Sequence, residues 1–393
     1  MSMGSSGAIR SRLLTASRLS IGLLSFLLTA SGAENAGQWL GVQFPPDSPV
    51  LFDSFNMGPS TVRPRGVSMA LDLHASLRLR NIGDKPICGL ALRVEAEDLK
   101  SSGKGSVIMP SLNVQPGEVF TVRIDMELLR PFNAPRNNAA LVQVSLDCAL
   151  FGDLTSYGPD KLRSRRALLV YELEAKRDRR YLAKLLEDGR LPELREQLNF
   201  GMQDLNPQQL GLELLRLPLD SREEKPVSVN TVSFRSSPVR PLGGAAQIAG
   251  NEVRGPRMEV QNVSRKAVRS VGMGWIVRDE RGREFVAGSA PSTLDLPPVA
   301  TASMVEPRTL RFSRGAGQPM MIGGLMAFVN DVEFADGQLW IPSRSDIEEA
   351  TADPVLRREL ANSPEQQRLT EVYRKKGMSG LSEELRRFTS GAN

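Results

Sequence analysis

The sequence predicts a mainly β protein: two successive β-sandwich domains, with helical segments between them and after the second. Three observations carry this. Short runs with a period of two recur between turn residues. The same order of strands and turns returns 181 to 183 residues later. The segments between and after these regions carry leucines at helical spacing instead.

The chain opens with Arg10, Arg12 and Arg18 and no acid, followed by the apolar run from Leu19 to Ala30 and the small residues Ser31, Gly32 and Ala33. This is the pattern of a secretory signal peptide, with cleavage expected between Ala33 and Glu34. The run is short of the roughly 20 apolar residues that span a bilayer, and no later segment is apolar enough to do so. No cysteine near the cut offers a lipid attachment point, and no Arg-Arg pair precedes the run. The expected product is extracytoplasmic (periplasmic or secreted), soluble, and without a transmembrane segment. The expected organisation is a signal peptide over 1–33, a sandwich over 34–175, a helical linker over 176–225, a second sandwich over 226–344 and a helical tail over 345–393.

In the first domain Leu71, Leu73, Ala75, Leu77 and Leu79 alternate with Asp72, His74, Ser76, Arg78 and Arg80, so one strand face is buried and one is wet. After the turn Asn81–Pro86, Cys88, Leu90, Leu92 and Val94 alternate in the same way. Phe120, Val122, Ile124 and Met126 form a third inward set, Val142, Val144, Leu146 and Cys148 a fourth, and residues 167–174 read as a further strand. Short alternating strands separated by turns indicate a sandwich or barrel. In the repeat, Leu79-Arg80-Asn81-Ile82 matches Val260-Gln261-Asn262-Val263, and Lys85-Pro86-Ile87 matches Lys266-Ala267-Val268. Further on, Leu112 to Pro116 matches Leu294 to Pro298, and Phe151 with Asp153 matches Phe334 with Asp336.

A strand ending in Asn, a turn to Lys-Pro-Ile or Lys-Ala-Val, an Asp…Gly hairpin and a Leu-x-Val/Leu-x-Pro step together resemble the bacterial Ig-like modules of the FxLYD and CARDB kind, found in exported proteins. The resemblance covers roughly residues 65–155 and 245–342. Where those modules carry Phe-x-Leu-Tyr-Asp, this chain has Leu92-Arg93-Val94 and Trp275-Ile276-Val277. The resemblance implies two Ig-like sandwiches acting as binding or spacer units, and no catalytic residues.

Leu182, Leu185, Leu186, Leu191, Leu194 and Leu198 recur at helical spacing. Asn206-Pro207 is expected to open a helix containing Leu210, Leu214 and Leu217, Asp353-Pro354 one with Leu356 and Leu360, and Ser363-Pro364 one with Leu369, Val372 and Tyr373, Gln366 being placed for a capping box. Leu381, Leu385 and Phe388 form the last stripe. These narrow stripes predict small helices packed on the sandwiches or on one another.

The chain holds 50 Lys and Arg against 45 Asp and Glu. Removing residues 1–33 leaves 47 against 45, a net charge near zero that argues against nucleic acid as a partner. Basic runs such as Arg163 to Arg166 and Lys176 to Arg180 read as solvated faces. His74 is the single histidine, on the wet side of its strand beside Asp72, so neither a Ser-His-Asp relay nor a histidine-rich zinc site is expected. Glu223-Glu224, Glu348-Glu349 and Asn330-Asp331 with Asp336 lack the spacing of a paired-acid or calcium site, and the Gly243-Gly244 and Gly323-Gly324 pairs lack a phosphate-loop lysine. No catalytic, metal or cofactor residue is assigned. Asn262-Val263-Ser264 fits the glycosylation sequon. Cys88 and Cys148 are expected to form a disulfide, the alternative being two buried thiols. In the repeat an Arg269–Asp331 pair is expected to stand in for that bridge. Trp275 is expected in the core, Trp340 at a sheet end, and Trp39 lies near the mature start. The expected function is that of an exported non-enzymatic binding or scaffold protein whose partner is another extracytoplasmic protein. The alternatives are a carboxylate-dependent envelope hydrolase and a carbohydrate-binding module.

Overall fold

The computed structural model describes residues 40–66, 68–96, 104–131, 142–200, 209–215, 222–314 and 319–390. The signal peptide, Trp39 and Asn206-Pro207 lie outside the described residues. The protein is mainly β and divides into two compact units, the first ending at Leu169 and the second starting at Val170.

The first unit contains β1 (Leu40–Gln43), β2 (Val50–Met57), β3 (Thr61–Arg65), β4 (Ser68–Asn81), β5 (Ile87–Ala96), β6 (Lys104–Met109), β7 (Val119–Pro131), β8 (Val142–Phe151) and β9 (Ser156–Tyr157). One sheet runs β1-β8-β5-β6 with β9 against β8. The other runs β2-β4-β3 with β7 on the opposite edge of β4. The alternating residues bury as the period of two requires. Leu71, Leu73, Leu77 and Leu79 of β4 share one core with Val122 and Ile124 of β7, Leu90, Leu92 and Val94 of β5, and Val142, Val144 and Leu146 of β8. Residues from both sheets thus close a single interior.

Residues 167–174 are helical. They belong to α1 (Ser164–Glu187), followed by α2 (Leu191–Phe200). A short apolar run fits a strand and a buried helix equally well. The helix buries Leu168, Ala175, Leu182 and Leu185 along one side.

The second unit contains β10 (Gln209–Leu215), β11 (Lys225–Val232), β12 (Val239–Ala249), β13 (Glu252–Asn262), β14 (Val268–Asp279), β15 (Glu284–Leu296), β16 (Thr301–Val305), β17 (Thr309–Ser313), β18 (Ile322–Phe334) and β19 (Leu339–Trp340). Its frame repeats the first. β11 pairs β18 in parallel as β1 pairs β8, β14 joins β18 to β15 as β5 joins β8 to β6, and β12-β13-β16 corresponds to β2-β4-β7. The sheets are not separate here, as two independent layers would be. β11 also pairs β12, and β17 with β10 bridge β13 to β15, so the strands form one ten-stranded sheet closed on itself. Leu210 and Leu214, expected on a helix, lie in β10.

The recurring polar residues explain why both units fold alike. Asn81 ends β4 buried. Its amide donates to the carbonyls of Lys85 (2.9 Å) and Val114 (3.0 Å) and its Oδ1 accepts from the Gly83 amide. Asn262 ends β13 in the same way, donating to Lys266 (2.8 Å), Leu296 (3.0 Å) and Pro297 (3.0 Å) and accepting from Ser264. Lys85 reaches Asp153 at 2.7 Å over the Phe151 ring, and Lys266 reaches Asp336 at 2.6 Å over Phe334. Tyr157 donates to Asp47 where Trp340 donates to Ser236. The two asparagines tie turn carbonyls to the strand ends, while the Lys, Tyr and Trp side chains hold side-chain acceptors.

The remaining helices are α3 (Arg344–Ala350), α4 (Pro354–Ala361) and α5 (Pro364–Ser390), the last broken at Gly377 by a φ of 67°. Asp353 caps α4 through Val355 N with Pro354 in the first turn, and Ser363 accepts from the Gln366 amide at the start of α5. The Gln366 side chain turns instead to Gln197 and Arg344, so only half of the capping box forms. The segments before and after the second sheet pack together: Leu182 and Leu185 of α1, Leu194 and Leu198 of α2, and Leu369, Leu381 and Leu385 of α5 share one cluster. In the C-terminal tail α5 docks on α1 and α2, while α3 and α4 pack on the sheet through Ile347, Leu356 and Ala361 beside Ile276, Val286 and Phe328. None of the described helices is long and apolar enough to cross a membrane.

Candidate functional site

His74 stands on the outer side of β4, its Nδ1 2.7 Å from Asp125 of β7 and its Nε2 3.3 Å from Asp72. Ser60 bonds the His74 backbone and not the ring. The hydrogen bond to Asp125 comes first in raising the His74 pKa above its ordinary 6.5. Solvent loss opposes it, and Asp72 adds to it. Such a pairing stabilises the fold below the unfolded-state pKa, and the contribution fades as pH rises through the folded one. Because this is the single histidine, its ring protons give one assignable titration by NMR. Its midpoint is expected above 6.5 in the native protein and closer to 6.5 in Asp125→Asn.

Cys88 and Cys148 do not form a disulfide. Both are buried free thiols. Two bulges explain the difference from the alternating pattern. Between the pairs Ile87↔Phe151 and Gly89↔Leu150, Cys88 is the extra residue. Between Ala91↔Cys148 and Leu92↔Leu146 it is Asp147. Each bulge reverses the parity of its strand, so both thiols leave the shared core for the outer side, against Leu150 and Leu168. Cys148 lies opposite Ala91, three residues from Cys88. That is about 10 Å along the strand, beyond the roughly 7 Å a disulfide spans. Asp147 holds its bulge by accepting from Ser164 Oγ at 2.7 Å and from the Leu162 amide. Burial, with Asp160 and Asp147 nearby, pushes the Cys148 thiol up to about 12, so it stays protonated and inert. Thiol titration of unreduced protein is expected to find no fast-reacting group in the native state and two after denaturation.

The second unit separates the other expected pairs. Arg269 lies 3.8 Å from Glu333, while Asp331 is buried opposite Gly272, so the Arg269–Asp331 pair is absent. The Asn262 amide is committed to three carbonyls and buried, which leaves the sequon nitrogen inaccessible in the folded chain. Trp275 packs in the core, and Trp340 leans on Phe234 at 6.5 Å, so the two form no common aromatic platform. Glu224 pairs with Arg254 and Glu349 with Arg235. A cavity of about 380 Å³ lies between the β14–β15 hairpin and α4, lined by Arg283, Glu284, Asp353 and Glu359 among others. Asp353 is committed to capping α4 and Glu284 to Arg278. Among the described residues no group of three His, Cys, Asp or Glu side chains is placed to hold a metal ion.

A buried polar assembly lies in the helical part: of the run Lys176 to Arg180, Asp178 and Arg179 are buried, Lys176 and Arg177 half-buried, and only Arg180 is exposed. Asp178, fully buried, accepts from Arg177 (2.8 Å), Arg344 (2.7 Å) and Ser363 Oγ. Burial works against its charge, yet the two arginines and these hydrogen bonds hold its carboxyl below the usual range. Arg177 also donates to the carbonyls of Pro342 and Ala361, and Arg344 lies over the Tyr181 ring. Arg179 pairs with Glu172 and Glu365 and covers Phe388, while Arg368 bridges Glu365 to Glu384. These links tie α1 to α3 and α5. Its members are engaged with one another, Glu172 Oε2 alone lacking a hydrogen-bond partner, so the cluster acts as a clasp. Its sequence signal was acids interleaved with the arginines, Glu172, Glu174 and Asp178, next to a leucine stripe.

No family model matches the chain, and no curated protein matches it. Among solved structures, the Se-Met labelled β-glucosidase from Kluyveromyces marxianus is similar at 9% identity and a TM-score of 0.15, over 68% of this chain and 45% of that one. The chain spans less than half the length of that protein, and a likeness at this level carries no argument for fold or activity.

Proposed function

We propose that this chain is an exported, non-enzymatic binding or scaffold protein, built from two Ig-like modules, whose first module engages another extracytoplasmic protein by strand addition. The observation that carries this reading is the edge at β6. Among the described residues β6 pairs only with β5. Its counterpart in the second unit, β15, has a further strand on that side: β10 lies against it at Val286 and Ala287. An unpaired edge is a template for an incoming strand. The occupant is an extended segment with apolar residues at alternate positions, as Leu210, Leu212 and Leu214 are spaced in β10. Export rests on the pattern of residues 1–33. The non-enzymatic reading rests on carboxylates engaged in caps and ion pairs and on the absence of a base near a nucleophile among the described residues.

The test places a photo-reactive residue at Ile108 on β6, and as control at Val299, which is 75% exposed in the second unit. The mature chain is then irradiated in an extracytoplasmic extract. A crosslinked protein at Ile108 and none at Val299 supports the reading. Equal crosslinking at both, or none at Ile108, contradicts strand addition. Turnover of chromogenic glycosides by the purified chain contradicts the non-enzymatic reading.

A further inference from the structure

Helix α5 turns a corner at Gly377, whose φ of 67° and ψ of −163° belong to a region that only glycine occupies without strain. Gly380 closes the same corner. A Cβ there would lie 2.2 Å from the Lys376 Cβ, closer than side-chain carbons pack. In an unbroken α-helix two residues at this spacing keep their Cβ atoms about 5–6 Å apart, and residue 377 takes helical angles. The bend therefore needs both glycines, and a straight helix needs neither. Past the corner, Leu381, Leu385 and Phe388 stand at the i, i+4, i+7 spacing by which an amphipathic helix seats in an apolar groove. The groove is formed by Leu182 and Leu185 of α1, Leu194 and Leu198 of α2, and Leu369 before the corner, in one cluster with Leu381 and Leu385. Its rim is cationic. Arg368 meets Glu384 at 2.6 Å, and the guanidinium of Arg179 lies 4.0 Å and that of Arg368 5.4 Å from the centre of the Phe388 ring. A helix closes its own backbone hydrogen bonds, so leaving the groove breaks side-chain contacts and no strand ladder.

We propose that this groove is an interface between two copies of the chain: residues 378–390 of a second copy fill it when α5 straightens at Gly377, giving a dimer with exchanged terminal helices. The second copy's segment has the same sequence, so it brings the same three apolar anchors and the same Glu384 to Arg368. Each groove regains every contact it has in the closed chain. The two forms then differ at the corner and in the entropy of joining two chains. Glycine at 377 tolerates the corner and weakens a helix interior, which favours the closed chain. Any other residue reverses both effects.

The experiment compares the full mature chain with Gly377→Ala and Gly380→Ala by sedimentation equilibrium. Gly377→Ala is expected to dimerise at least about tenfold more tightly than wild type, because strain at the corner and gain in helix propensity both favour the straight form. Gly380→Ala is expected to shift in the same direction, since its added methyl fits a straight helix and not the bend. A photo-reactive phenylalanine analogue at Phe388 then identifies the exchange. In the closed chain it crosslinks to its own chain, and in the isolated dimer to the other copy. Tighter dimerisation of both variants with crosslinks between chains supports the proposal. Unchanged dimerisation in either variant, or a dimer whose crosslinks stay within each chain, overturns it. If neither variant folds, wild type at about 1 mM, the effective concentration of a short tether, decides it. Crosslinks between chains then support the exchange, and crosslinks within chains alone overturn it.

Discussion

Asp178→Ala is expected to cost the second unit about 3–5 kcal/mol, the penalty of leaving buried guanidinium groups without their counter-ion. Asp178 is fully buried between Arg177 and Arg344 and also takes the Ser363 hydroxyl. Removing it strands two buried cations and opens the joint between α1, α3 and the start of α5. For a unit of this size the melting midpoint should drop on the order of 10 °C. Asp178→Asn, which keeps the shape and loses the charge, should fall nearly as far. Thermal denaturation of both variants checks this. A shift below about 1 °C would place the clasp among surface ion pairs of little consequence.

The second large effect concerns the two asparagines. Asn81→Ala removes the side-chain donor from the carbonyls of Lys85 and Val114, and Asn262→Ala from those of Lys266, Leu296 and Pro297. Lys85 and Leu296 lose that donor, while Val114 keeps the Ile87 amide, Pro297 the Ala300 amide and Lys266 the Ser264 hydroxyl. Each buried acceptor left unmade costs about 1–3 kcal/mol. The effect is expected to be local. Asn81→Ala should raise hydrogen exchange in the strands of the first unit and Asn262→Ala in those of the second, with the larger loss for Asn262. Exchange mass spectrometry on the full chain separates the two. Uniform change across both units in either variant would contradict independent anchoring of the two frames.

Much of this frame was legible because it rests on period two. Leu71 to Leu79 and Val122 to Met126 bury as the alternation requires. The recurrence of Asn, Lys, Phe and Asp at matched positions was also legible, since each holds a turn by its side chain. The caps at Asp353 and Ser363 follow from local chemistry and appear where the sequence puts them.

What was not legible depends on partners remote in sequence. Cys88 and Cys148 looked inward because nothing local announces a bulge, and the one at Asp147 exists because Ser164 and Leu162 bind its carboxylate. Residues 167–174 are too short an apolar run to separate strand from helix. Leu210 and Leu214 sit at helical spacing, yet β10 is held by β17 and β15. The buried clasp was hidden because arginines and acids at helical spacing look the same whether a second helix covers them or water does. Only Arg344, Ser363 and Glu365, more than 160 residues away, bury them.

Among the described residues β6 has a strand on one side, β5, where the second unit's β15 has β14 on one side and β10 on the other. Residue-resolved hydrogen exchange of the free mature chain tests this contrast most directly. The amides of β6 that point away from β5 are expected to exchange at least about 100-fold faster than those of β15 near Val286 and Ala287, because backbone groups without a ladder partner open freely. Once the crosslinking partner is added, β6 should become protected while β15 does not change. Equal protection of β6 and β15 in the free chain would contradict the account.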